Sequence, residues 1–229
     1  MMVVITGLHS TAYIIVNATE TTSLSRYTYL PDSRLWGNGA LAYAYEDLWT
    51  YYRNHNDNER GSVFAEKCLA ADSTNSRRWA NGAQIFVNTG NAVRGIHAYE
   101  KAIQLGNEDA WVYVNLGSEY VKVGRLDEAA ALFQKALERD PNASMAAYNL
   151  GTLLGGYRQR REEALPYLLR AVETDSTYAP AWKNTAACLF EMGRHKEMIP
   201  YFEKFLELAP HDSTAPSVRT LLQFYQGIR

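Results

Sequence analysis

Four asparagines recur along this chain, Asn81, Asn115, Asn149 and Asn184, separated by 34, 34 and 35 residues. An asparagine amide carries a donor and an acceptor in one plane. That pair matches the N–H and C=O edge of an extended peptide, whatever the peptide's side chains. Inside a helix asparagine is an indifferent choice, because its amide competes for backbone hydrogen bonds. Its regular return therefore asks for a reason, and the chemistry such a series could do is recognition. At about 0.5–1.5 kcal/mol net per hydrogen bond, four rungs would supply enough for weak binding.

Residues suited to other chemistry are sparse. The histidines His9, His55, His97, His195 and His211 form no i, i+4 pair for a metal, and Cys68 and Cys188 stand far apart outside any C-x-x-C pattern. Both cysteines are expected to be small buried hydrophobes. No nucleophile elbow, H-E-x-x-H or phosphate-binding glycine loop is present, so no catalytic residue, metal or cofactor is expected. A net charge of −2 without a basic stripe argues against nucleic acid. The one dense basic run, Arg158, Arg160 and Arg161, is followed at once by Glu162 and Glu163 and reads as a solvated loop. With 47% apolar and 21% charged residues, the chain has the composition of a folded protein.

The elements that would position the asparagines follow from the same spacing. In residues 110–143, Tyr113, Leu116, Gly117, Tyr120, Ala129, Phe133, Ala136 and Pro141 fall at unit positions 4, 7, 8, 11, 20, 24, 27 and 32. The unit 76–109 keeps phase with Trp79, Ala83, Phe86, Gly95, Tyr99 and Ala102, and the unit 179–212 with Trp182, Ala186, Leu189, Met198, Phe202, Phe205 and Pro210. Residues 144–178 carry one extra residue, most simply placed in the Arg158–Arg161 loop. Residues 42–75 phase as a degenerate unit, and Val218, Leu221, Leu222 and Tyr225 describe an amphipathic capping helix in 213–229. Gly90, Gly124 and Gly193 supply the turn after each first helix. Pro166 and Pro200 are expected near the start of the second helix, where a missing N–H costs least.

This pattern resembles the tetratricopeptide repeat, whose W-x2-L-G-x2-Y…A-x3-F…P signature is met almost throughout in 110–143. The resemblance implies an all-α fold, a right-handed α-solenoid of helix-turn-helix units whose first helices line a concave groove. The asparagines then occupy position 6 of four units. The remaining groove candidates are Arg77, Gln84, Trp111, Val114, Ser118, Lys122, Met145, Tyr148 and Lys183, on positions that 3.6-residue geometry turns away from the core. The implied function is a non-enzymatic scaffold that binds a protein or peptide segment. Capture of a chaperone's terminal carboxylate is not expected. The relevant positions carry Ala80, Gln84, Asn115, Met145 and Asn149, of which only Asn115 fits.

Residues 1–41 stand apart as an apolar segment and linker. Met1–Thr19 holds no charge. It admits three readings: two short strands, a signal peptide lacking its basic start, or the last part of a membrane helix. The last would make the chain a membrane-attached tail of a larger transport or glycan-assembly protein, with membrane contact through residues 1–18.

Overall fold

The computed structural model describes residues 38–157 and 159–227, which are helical or lie in short turns. The three readings of residues 1–18 fall outside the described residues. The helices come in pairs: α1 (Asn38–Asn54) with α2 (Asn58–Ala71), α3 (Ser76–Asn88) with α4 (Ala92–Gln104), and α5 (Ala110–Lys122) with α6 (Leu126–Arg139). Next come α7 (Ser144–Thr152) with α8 (Arg161–Thr174), α9 (Ala179–Glu191) with α10 (His195–Leu208), and finally α11 (Ala215–Gly227). Asn38 and Gly39, expected in the linker, are already helical. Among the described residues no helix is long and apolar enough to cross a membrane.

The pairs form because neither helix can bury its apolar stripe alone. The described residues fall into two bodies, one ending at Asn107 and one beginning at Glu108. In the first, Phe64 stacks on Tyr52 with ring centroids 5.5 Å apart, and Tyr99 and Phe86 fill the α3–α4 seam. In the second, Phe133, Leu150, Leu168, Met198 and Phe205 are buried between successive helices, and Val218 and Leu222 seat α11 against α10. Cys68 and Cys188 are both buried, and burial pushes the Cys68 thiol up to about 11.

Three first helices, α3, α5 and α9, end on a glycine with positive φ: Gly90 at 78°, Gly124 at 79° and Gly193 at 73°, while Asn56 takes that place after α1 at 57°. This left-handed region penalises a side chain. The next N–H then reaches back five residues, Asn91 to Phe86, Arg125 to Tyr120 and Arg194 to Leu189, at 2.8–2.9 Å. The fourth unit differs. There Gln159 takes the positive φ, 53°, and Arg160 reaches back six residues to Leu154. The extra residue is therefore not in the 158–161 loop. It lies one turn earlier, where Leu153–Tyr157 wind as a π turn that continues α7. A π turn adds one residue to a helical turn without breaking its hydrogen bonds.

Two further expectations change. Pro166 and Pro200 are each the sixth residue of their helix, beyond the first-turn N–H groups that have no partner. Each removes a true helix bond, on an exposed face of its helix. The described part of the basic run, Arg160 and Arg161, is exposed or half-exposed and paired. Arg160 bonds Glu163, as Arg125 bonds Glu128 and Arg194 bonds Glu197 at the same step of their units. Such exposed pairs are worth little individually.

Between units the chain turns on a short recurring motif. The carboxylates of Asp72, Asp175 and Asp212 each accept the hydroxyl and the N–H of the threonine two residues on, Thr74, Thr177 and Thr214. The hydroxyl bond, then the N–H bond, holds each carboxyl below its ordinary value. A lowered native pKa stabilises the fold above the unfolded value of about 3.9 and loses that contribution as pH falls through the lowered value. Thr177→Val should therefore shift the acid-unfolding midpoint upward in a circular-dichroism titration. An unchanged midpoint would mean that the turn's N–H bond alone suffices.

Candidate functional site

The first helices α5, α7 and α9 carry Asn115, Asn149 and Asn184 on half-buried positions. The Asn149 amide donates to Ser118 Oγ at 3.2 Å, and the Asn184 amide donates to Thr152 Oγ1 at 3.0 Å and Tyr148 OH at 3.2 Å. Ser118 and Thr152 occupy position 9 of the preceding unit. Each rung thus ties one first helix to the one before it through its N–H2 group. Ser118 Oγ in turn donates to Val114 O at 2.9 Å, which fixes the hydroxyl as acceptor toward Asn149. The carbonyl oxygens of Asn149 and Asn184 have no hydrogen-bond partner among the described residues, which leaves them as acceptors on this face.

The other candidates scatter. Trp111 and Met145, both at position 2, are 38% and 43% exposed and form an apolar edge at the starts of α5 and α7. Tyr148 is half-buried, edge-on to Tyr178 at 5.0 Å. Val114, expected to face a ligand, is only 8% exposed and belongs to the core. Lys122 bends back to the buried carboxylate of Glu119 at 2.6 Å. Lys183 lies over the Phe205 ring and 3.7 Å from Asp212, turned along the α9–α11 side.

In the first body, Asn81 is half-buried on α3 and Arg77 is exposed. Gln84 is engaged within its own unit. It accepts from Tyr99 OH at 3.0 Å and donates to Asn88 at 3.0 Å, so it braces α3 on α4.

One feature of the site gave little sequence signal. Beside Asn184 a cleft of about 220 Å³ opens between the π turn and α9, with Gly155, Gly156, Leu168, Ala187 and Cys188 on its wall. Its rim holds Thr152 and Asn184 on one side and the Arg161–Glu191 ion pair on the other. The available clue was Gly155-Gly156 at positions 12 and 13, where the other units carry Val87-Asn88, Val121-Lys122 and Phe190-Glu191.

Sequence models of the tetratricopeptide repeat match residues 110–143 and 179–212. The chain is a tetratricopeptide repeat protein. Repeats of this family are in general protein–protein interaction modules. Among curated tetratricopeptide relatives, the TPR repeat-containing protein MJ1428 of Methanocaldococcus jannaschii is 25% identical over 155 residues, covering 63% of this chain and 27% of that protein. The chain spans 12–27% of the length of the curated relatives it matches. Among solved tetratricopeptide structures, YrrB, described as having an unusual peptide-binding site, is 22% identical with a TM-score of 0.64, over 77% of this chain and 90% of that one. Pseudomonas aeruginosa pilF is 18% identical with a TM-score of 0.69, over 82% and 90%. At these identities the likeness to the solved structures is one of fold.

Proposed function

We propose that this tetratricopeptide repeat protein is a non-enzymatic binding module that holds an extended segment of a partner protein along α5, α7 and α9. The observation that carries the reading is the division of labour in the Asn149 and Asn184 amides. Their N–H2 groups hold neighbouring first helices together, which fixes the amide planes, while their oxygens remain as acceptors for a partner's main-chain N–H. A pre-oriented acceptor loses little side-chain freedom on binding. The apolar edge of Trp111 and Met145 beside these acceptors is of a composition that recurs at interfaces. YrrB, similar in fold, is itself described as having a peptide-binding site.

The test uses peptides selected from a displayed random library against the folded chain. Asn149→Ala with Asn184→Ala should weaken their binding about tenfold, and should also cost stability, about 1 kcal/mol for each lost inter-helix bond. A paired control separates the two effects. Ser118→Ala with Thr152→Val removes helix-bridging bonds that orient the amides yet keeps both acceptor oxygens, so stability falls while binding weakens less than in the asparagine variants. Equal loss of binding in the two double variants would reduce the asparagines to structural ties and sink the proposal.

A further inference from the structure

We infer that the cleft beside Asn184 is a side-chain pocket on this face, taking one uncharged apolar side chain of the bound segment; the inference rests on the binding reading above.

The cleft exists because the sequence removes matter from one place. The π turn displaces the end of α7 by a residue, and Gly155 and Gly156 stand where the other units place Val and Asn, Val and Lys, or Phe and Glu. Its volume, about 220 Å³, is below the range of roughly 300–1,000 Å³ that small-molecule sites occupy, so one side chain fits better than a cofactor.

The wall decides the chemistry of the occupant. Leu168 and Ala187 are apolar. The Cys188 thiol sits 3.5 Å from the Arg161 carbonyl oxygen, and burial pushes its pKa up, so it stays neutral. Among the described residues the charges on the lining are Arg161 and Glu191, and they pair with each other. A charged guest would give up hydration with no counter-charge to meet it. An apolar guest loses nothing and excludes water from the wall. At the rim, the Asn184 oxygen is placed to accept the N–H of the same residue or its neighbour, so the pocket and the rung read one stretch of chain together.

Gly156 provides a direct test. Gly156 lies on the lining and a Cβ built there meets nothing within 4 Å, so Gly156→Leu adds an aliphatic side chain at the cleft with open space at its first carbon. Random heptapeptides displayed on phage are selected against the full wild-type chain, and the consensus peptide is then titrated against Gly156→Leu. The expected consensus has one aliphatic position, and its affinity falls about tenfold to a hundredfold in Gly156→Leu, the value of one buried aliphatic side chain. A peptide with glycine at that position should bind both chains alike.

Equal affinity of the consensus for both chains would overturn the pocket and leave the asparagine rungs standing. A Gly156-dependent preference for Lys, Arg, Asp or Glu would overturn it as well. Failure to select any peptide, with circular dichroism showing a folded chain, would remove the binding reading and the pocket together.

Discussion

Arg78→Ala is expected to destabilise the body formed by residues 38–107 by about 3 kcal/mol, the lower end of the range for breaking a buried ion pair. Arg78 stands at position 3 of its unit, where the units beginning at Ala110, Ser144 and Ala179 place Val112, Ala146 and Ala181. All three of those residues are buried, and so is Arg78, at 4% exposure. A guanidinium in a slot shaped for a methyl group needs partners, and it has three. Nε bonds Glu46 of α1 at 2.9 Å, Nη1 bonds Asp72 at the α2–α3 turn, and the Tyr43 ring lies 4.4 Å from Cζ. Truncation leaves two carboxylates facing each other's charge with their cation gone. The lower end of the range applies because Glu46 and Asp72 keep 29% and 22% of their side-chain surface in water.

Hydrogen exchange is the appropriate measurement, because each unit of a repeat protein leans mainly on its neighbours and the loss stays local. Amides of α1, α2 and α3 should exchange faster, while those of α9 and α10 hold. Arg78→Met with Glu46→Leu should recover much of the loss, since an apolar replacement of a buried pair is often neutral. A change below about 0.5 kcal/mol in Arg78→Ala would show that water screens the pair and that Arg78 is there for another reason.

Arg78 also shows where sequence reading stops. The 34-residue period was plain from Tyr113, Leu116, Gly117 and Phe133, because a residue type that must pack against the next unit returns in phase. The all-α fold was legible for that reason. A residue that breaks the pattern, as Arg78 does, carries no such signal until its partners on α1 and in the preceding turn are known. The extra residue of the fourth unit was countable, but its place was not. A loop and a π turn absorb one residue equally well on paper, and only the π winding of Leu153–Tyr157 distinguishes them.

The asparagine series was legible as spacing, yet the hydrogen-bonding half of its role was not. The partners Ser118 and Thr152 sit three residues further on in the previous unit, a pairing that only stacking reveals. Val114 fails for the opposite reason. Helical angles turned it outward, but the residue is buried, as an apolar side chain favours.

Phe133→Ala is expected to cost about 3–5 kcal/mol, because the ring is fully buried and its removal leaves a cavity between α5 and α6. Its neighbour turns this into a sharper test. Gly117 lies flat against the ring, and a Cβ there would come 2.7 Å from Phe133 Cε1. Gly117→Ala in the wild-type chain should therefore destabilise, by about 1 kcal/mol after the helix gains alanine's better propensity. Two other units set the upper limit. They place Ala83 with Tyr99 and Ala186 with Phe202 at the same two positions, so a slightly wider helix pair accommodates both. In the Phe133→Ala background the clash is gone and only the propensity term remains. There Gly117→Ala should stabilise by up to about 1 kcal/mol. The sign reversal, measured as a double-mutant cycle by urea unfolding, isolates the ring–backbone contact from every other effect of either change. If Gly117→Ala destabilises equally in both backgrounds, the ring is not what requires glycine, and the close approach of α5 to α6 must be set elsewhere along the seam.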